Sequence, residues 1–168
     1  MHLNNIPSNP ISRALTFHGK KAIVVSSDII PFCRDKLKIR QDDIVVGYNG
    51  VFEEKYRQYT EVEKEKIREK YKISDNEKVI VVLTRLDPIK GHKKVIEAVS
   101  RLTTQQKYVV LFTGESMVEG YKEELQKLIQ KKDVEDRIKF VGHVNPVDII
   151  NISDIFCFQV TMKVFPSP

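Results

Sequence analysis

Short, unbroken β-branched runs recur along this chain, and each is followed by a polar or helix-periodic stretch. The runs are AIVVS (22–26), DIVVG (43–47), VIVVLT (79–84), YVVLFT (108–113), RIKFVG (137–142) and DIFCF (154–158). Alternation of apolar and polar positions is missing from them, as expected for strands covered on both faces of a parallel sheet. Between the later runs the period lengthens. Val95, Ile96, Val99 and Leu102 fall on one stripe of a helix after Gly91. Val118, Tyr121, Leu125, Leu128 and Ile129 do the same before RIKFVG. Strand–helix–strand alternation of this kind predicts an α/β fold with a doubly wound parallel sheet, Rossmann-like in its later part.

The pattern changes between residues 50 and 78. Asn49-Gly50 is a turn signal, and a charged stretch containing EVEKEKIREKYK separates two early strands from the four later ones. The expected organisation is a leading piece over 1–52, a charged linker with a helix over 53–77, and an α/β domain over 78–168.

Composition narrows the function classes. The chain has 168 residues, 41% hydrophobic and 30% charged, which suits a soluble globular protein and not a disordered one. No apolar stretch reaches the roughly 18 residues needed to span a membrane. The start, MHLNNIPSNP, lacks the basic and apolar regions of a signal peptide. Cys33 and Cys157 form no CxxC pair and sit in apolar settings, so buried free thiols and a cytoplasmic location are expected. The net charge of +5 admits an anionic membrane surface, nucleic acid or phosphorylated small molecules as partners. The cations are interleaved with glutamates, however, and no nucleic-acid-binding signature is present.

Candidate chemistry gathers where open parallel sheets bind ligands, at the carboxyl ends of strands. After VIVVLT come Arg85, LDPI, Lys90 and Gly91, then a helix. Pro88 and Gly91 suit a tight strand-to-helix turn. The helix start offers unpaired N–H groups, Arg85 a bidentate fork and Lys90 a mobile charge, a combination suited to a diphosphate. Spacing alone leaves the solvated-loop reading equally open. Gly114, after YVVLFT, either admits close backbone approach or makes a turn. Gly142 and His143 end RIKFVG, and a lone histidine there reads as a surface or capping residue. Asp154 caps the preceding element or opens the last strand. No paired carboxylates, metal-ligand cluster or Ser-His-Asp set is present, nor a GxGxxG or Walker A signature.

Four ordered segments, VVSSDIIPFCRDKL…IVVGYNGV, LTRLDPIKGHKKVIEAV, VVLFTGES and RIKFVGHV…ISDIFCF, resemble the retaining glycosyltransferases of family 4, which have the GT-B fold. The resemblance spans about residues 22–158 and implies a Rossmann-like C-terminal domain preceded by the tail of an N-terminal domain. It implies that Arg85 and Lys90 act as the catalytic cations, holding the diphosphate of a nucleotide-sugar donor and stabilising the leaving nucleotide without a metal or other cofactor. Gly91, Gly114, Gly142 and His143 would line the donor site, with Val141 to Val144 near the base. Cell-envelope polysaccharide synthesis is a common role of that family, and the basic charge would suit peripheral attachment to the inner face of the membrane.

The chain departs from the pattern in three places. Ser116 stands where a second glycine is usual. QVTMKVFPSP follows Phe158 where the family continues into a pair of glutamates around an EGFG-like loop. Most of the acceptor-binding domain has no counterpart. These departures lead to the expectation of an incomplete transferase, inactive as this chain alone. The alternative is a non-catalytic nucleotide-binding module working with a partner chain.

Overall fold

The computed structural model describes residues 2–3 and 19–158, so the closing stretch QVTMKVFPSP lies outside the described residues. The chain divides into two compact units, Met1–Glu53 and Glu54–Pro168.

The first unit holds a three-stranded parallel sheet in the order β1 (His2–Leu3), β2 (Ala22–Val24), β3 (Ile44–Val46). The apolar runs predict only two leading strands; β1 adds a third, just two residues long, with no run to announce it. Between β2 and β3 lies α1 (Ile30–Asp35), started by Pro31 near its first turn. Ala22, Val24, Cys33 and Ile39 form the small core of this unit.

The second unit begins with α2 (Glu61–Lys70). Thr60 and Glu63 form a reciprocal capping box at its start, and the Arg57 guanidinium and Thr60 backbone hold the Glu63 carboxyl down to about 2. The helix packs against α5 (Pro146–Ile152), and Tyr59 bonds Asp148 at 2.8 Å. Four parallel strands follow: β4 (Lys78–Val82), β5 (Tyr108–Thr113), β6 (Ile138–Gly142) and β7 (Ile155–Phe156). Each falls on a predicted apolar run, shifted or trimmed by a few residues at its ends. Helices α3 (His92–Arg101) and α4 (Tyr121–Lys131) connect β4 to β5 and β5 to β6.

All six residues of β5 are buried, which shows that the sheet is covered on both faces, as the unbroken apolar runs require. On one face Val82, Val110 and Phe112 pack against Val95, Ile96 and Val99 of α3 and Leu125 and Ile129 of α4. On the other, Val79, Val81, Val109 and Leu111 pack against Ile149 and Ile152 of α5. Two positions expected on the helical stripes fall outside. Leu102 caps α3 and Val118 precedes α4; both are exposed, because each helix is shorter than its stripe. Cys33 is buried and Cys157 is half-buried, both as free thiols.

The strand order is β6-β5-β4-β7. From β4 the chain steps outward to β5 and β6, then returns to lay β7 on the far side of β4. The connections therefore diverge between β4 and β7, and this is where a doubly wound sheet opens a crevice at its carboxyl edge.

Asp154 fastens β7 to β4. Its carboxylate accepts the Val79 N–H at 2.8 Å and the Lys78 ammonium at 2.7 Å, while its own N–H reaches the Val79 carbonyl at 2.9 Å. Partial burial pushes its carboxyl up, but the bonds from Lys78 and Val79 outweigh that and leave it below the usual range. A depressed folded value means that the contribution is present above the unfolded carboxylate range and is lost as pH falls through the folded value. Asp154→Ala is expected to cost about 1–3 kcal/mol at neutral pH, since it strands the N–H of buried Val79. Urea titrations at neutral pH and near the acid limit should show the gap between variant and wild type narrowing in acid. A gap that stays constant with pH would argue against it.

Candidate functional site

The sequence points to the turn after β4, and the structure builds it from residues 83–91. Asp87 starts a single 3₁₀ turn over Pro88–Lys90, its carboxylate accepting the Ile89 N–H at 3.1 Å. Gly91 then sits in the left-handed region at φ 71°, where a side chain would be strained, and the chain enters α3 with no side chain capping its start. The predicted Pro-and-Gly turn is thus present. Its organiser, Asp87, is a residue that strand-end spacing alone overlooks; the signal for it is an Asp-Pro pair ahead of a helix.

Arg85 lies on this turn with its side chain 57% exposed and its guanidinium 3.3 Å from the Asp87 carboxylate. Lys90 extends over the ring of Phe158, 5.8 Å from its centroid. Phe158 comes just after β7, so Lys90 stands across the crevice mouth between β4 and β7. The two cations therefore occupy the switch point of the sheet, beside an uncapped helix start whose N–H groups attract anions.

The backbone under Arg85 is held from several sides. Leu86 donates its N–H to the Glu115 carbonyl at 3.1 Å and forms a parallel bridge with Ser116. Gly114, at φ 74°, lies so close that a Cβ would come within 2.7 Å of both Arg85 Cα and the Thr84 carbonyl oxygen. Close approach, and not merely a turn, is what the glycine provides. Gly114 in turn donates to the Gly142 carbonyl at 2.6 Å, where the β5–β6 register slips by one residue between Phe140 and Gly142.

Behind the turn sits His92, the first residue of α3, fully buried. Its Nε2 is 3.4 Å from the Thr84 hydroxyl, and its ring meets Phe112 edge-on at 5.0 Å. Burial pushes the imidazole below its ordinary value, against the raising influence of Asp87. Nothing in the residue pattern singles out His92, because a histidine at a helix start usually faces solvent.

An open cavity of about 510 Å³ lies between the turns after β5 and β6, lined by Leu86, Gly114, Ser116, Lys122, Phe140 and Gly142, among others. The structure thus brings Gly114 and Gly142 to one cavity and places Leu86, next to Arg85, in its wall. Lys90, Gly91 and His143 do not line it; His143 is exposed beyond Gly142. Among the described residues no group of three or more His, Cys, Asp or Glu side chains could hold a metal. No helix there is long and apolar enough to cross a membrane.

Known proteins share this fold. The family model described as Glycosyl transferases group 1 matches residues 63–168. A glycosyltransferase from Rickettsia africae is 26% identical with a TM-score of 0.76, over 92% of this chain and 42% of that one. Anabaena HepE, solved with UDP and glucose, is 20% identical with a TM-score of 0.79, over 95% and 45%. WaaG, a glycosyltransferase involved in lipopolysaccharide biosynthesis, is 16% identical with a TM-score of 0.73, over 88% and 40%. The chain therefore spans less than half the length of each of these structures. Curated protein sequences gave no match.

Proposed function

The chain belongs to the glycosyl transferases group 1 family, and on that premise we propose that it carries the donor-binding side of a retaining, family-4-like transferase. In this reading Arg85 and Lys90 hold the diphosphate of a nucleotide-sugar. The observation that supports it is their joint placement at the β4–β7 switch point, next to the uncapped start of α3. That UDP is bound by the similarly folded HepE favours a uridine nucleotide.

The chemistry follows from charge. As the bond from the sugar C1 to the diphosphate oxygen breaks, its electron pair stays on the diphosphate. Two cations and a helix N-terminus lower the energy of that developing charge. No metal is needed for this role, and none is proposed. Gly91 lets the helix begin against the phosphates without a blocking side chain. Gly114 and Gly142 form the wall assigned to the nucleoside, and Val141 and His143 adjoin it along the chain.

The proposal is confined to the donor side. The chain spans less than half of the structures it matches, so turnover by the 168-residue polypeptide alone is not expected, and acceptor binding falls to further residues or a second chain. A cytoplasmic site of action on cell-envelope polysaccharide, with peripheral contact to the membrane, is part of the same proposal.

Calorimetric titration with UDP, UMP, GDP and ADP tests it. A second phosphate engaging both cations should make UDP bind at least about tenfold more tightly than UMP, and added salt should narrow that difference. Equal affinity for UDP and UMP would remove the diphosphate from the site.

A further inference from the structure

Among the described residues, two polar side chains are buried, His92 and Thr113, and both bond into the end of β4 and the turn after it. Thr113 donates to the Val82 carbonyl at 3.2 Å, with the Thr84 carbonyl at 3.4 Å. His92 meets the Thr84 hydroxyl, and that hydroxyl donates onward to the Arg85 carbonyl at 3.1 Å. Buried polar groups are costly unless they are satisfied, so their convergence on one short segment demands a reason.

We propose that His92 is a positioning residue for the Arg85 guanidinium, acting as a neutral Nε2–H donor through the Thr84 hydroxyl. This rests on the reading of Arg85 as a diphosphate ligand. The partners fit this tautomer. With the Thr84 hydroxyl donating to the Arg85 carbonyl, it offers Nε2 a lone pair; the roles reverse in the other tautomer. His92 Nδ1 is buried with no hydrogen bond of good geometry, which suits a lone pair, while the Asp87 backbone beside the ring acts the other way and favours a proton. Burial keeps the imidazole neutral against the opposing influence of Asp87. Phe112 of β5 and Tyr121 of α4 meet the ring edge-on, their centroids at 5.0 and 6.3 Å, and Asp87 approaches from the turn. On the Tyr121 side, Lys93 and Glu124 are paired with each other.

The relay His92 to Thr84 to Arg85 runs from the buried ring through a part-buried bond to an exposed one. It fixes the backbone from which the Arg85 side chain leaves, while Gly114 blocks retreat toward β5. Arg85 itself is exposed, so its aim depends on this support.

The test is a double-mutant cycle read as UDP affinity on the full chain, with thermal unfolding measured alongside. His92→Phe and Thr84→Val should each weaken binding roughly threefold to tenfold, and the double variant should be no weaker than the worse single. His92→Gln places an amide N–H near the Nε2 position and should stay within about twofold of wild type. Ring ¹⁵N NMR of the wild type should show the Nε2–H tautomer. Additive losses, undiminished affinity in a folded His92→Phe, or an Nδ1–H tautomer would overturn the proposal. If His92→Phe does not fold, Thr84→Val and His92→Gln decide in its place: a loss in the first with retention in the second supports the relay, and any other pairing overturns it. Failure of the wild type to bind UDP would instead overturn the diphosphate reading, and the tautomer measurement would still judge the His92–Thr84 bond.

Discussion

Gly114→Ala should lower the stability of the second unit by about 2–5 kcal/mol, the largest single-residue effect expected outside the hydrophobic core. Two costs combine. A left-handed backbone at φ 74° is unfavourable for an L-residue by about 1–2 kcal/mol. The added methyl would also stand 2.7 Å from Arg85 Cα and the Thr84 oxygen, both backbone atoms that no rotamer change can move aside. Relief requires the Arg85 turn to lift away from β5. That would strain the Leu86–Glu115 bond and the Gly114–Gly142 bond together. By calorimetric scan the midpoint should fall by roughly 8–25 °C, and UDP affinity should fall with it because the cation turn has shifted. An unchanged midpoint would mean that the turn yields freely, and would remove the case that Arg85 is rigidly placed.

Arg85→Ala should do the reverse, leaving the fold and removing the ligand. Its guanidinium is 57% exposed and pairs with Asp87 at 3.3 Å, a surface ion pair of a kind that contributes at most about 1 kcal/mol. Charge-assisted bonds to a diphosphate are worth about 1.5–3 kcal/mol, so UDP affinity should drop roughly tenfold to a hundredfold. Arg85→Lys keeps the charge and loses the planar fork, and should fall between the two. Calorimetry on all three proteins decides. Equal affinity in wild type and Arg85→Ala would sink the assignment of Arg85, and an unfolded Arg85→Ala would contradict its placement on the surface.

How much of this is legible in the residues differs by element. The long strands are, since a run such as YVVLFT has no polar position to face solvent and must be covered twice; Tyr108–Thr113 is buried throughout. Short elements are not. The two residues of β1 carry no pattern, and α5 hides in NPVDIINI, although Asn145 capping a helix with Pro146 at its first position is a start signal. The apolar stripes overrun their helices at Leu102 and Val118, because a row of apolar residues does not show where backbone hydrogen bonding begins or stops.

At the site, the cations can be read and their supports cannot. Arg85 and Lys90 follow a strand and precede a glycine, which suffices to place them on the turn. That Lys90 lies over Phe158 depends on the crossover that brings β7 beside β4, a contact between residues far apart in sequence. The burial of His92 depends on Phe112 and Tyr121 closing over it from two other elements. Asp154 reads as a cap or a strand opener. It lies directly before β7, and the group its carboxylate caps is the Val79 N–H of a neighbouring strand.

The position of β7 next to β4 also sets an order of events in time. β4 ends at Val82 and β7 begins at Ile155. At roughly 5–20 residues per second, a ribosome needs about 4–15 seconds to make the stretch between them. β5 can close one flank of β4 early in that interval; the other flank must wait. For those seconds the nascent chain shows a naked strand edge, an invitation to chaperones and to mispairing with neighbouring chains. That exposure ends when Asp154 and the residues after it emerge, so the same late strand that completes the crevice also covers the second flank of β4.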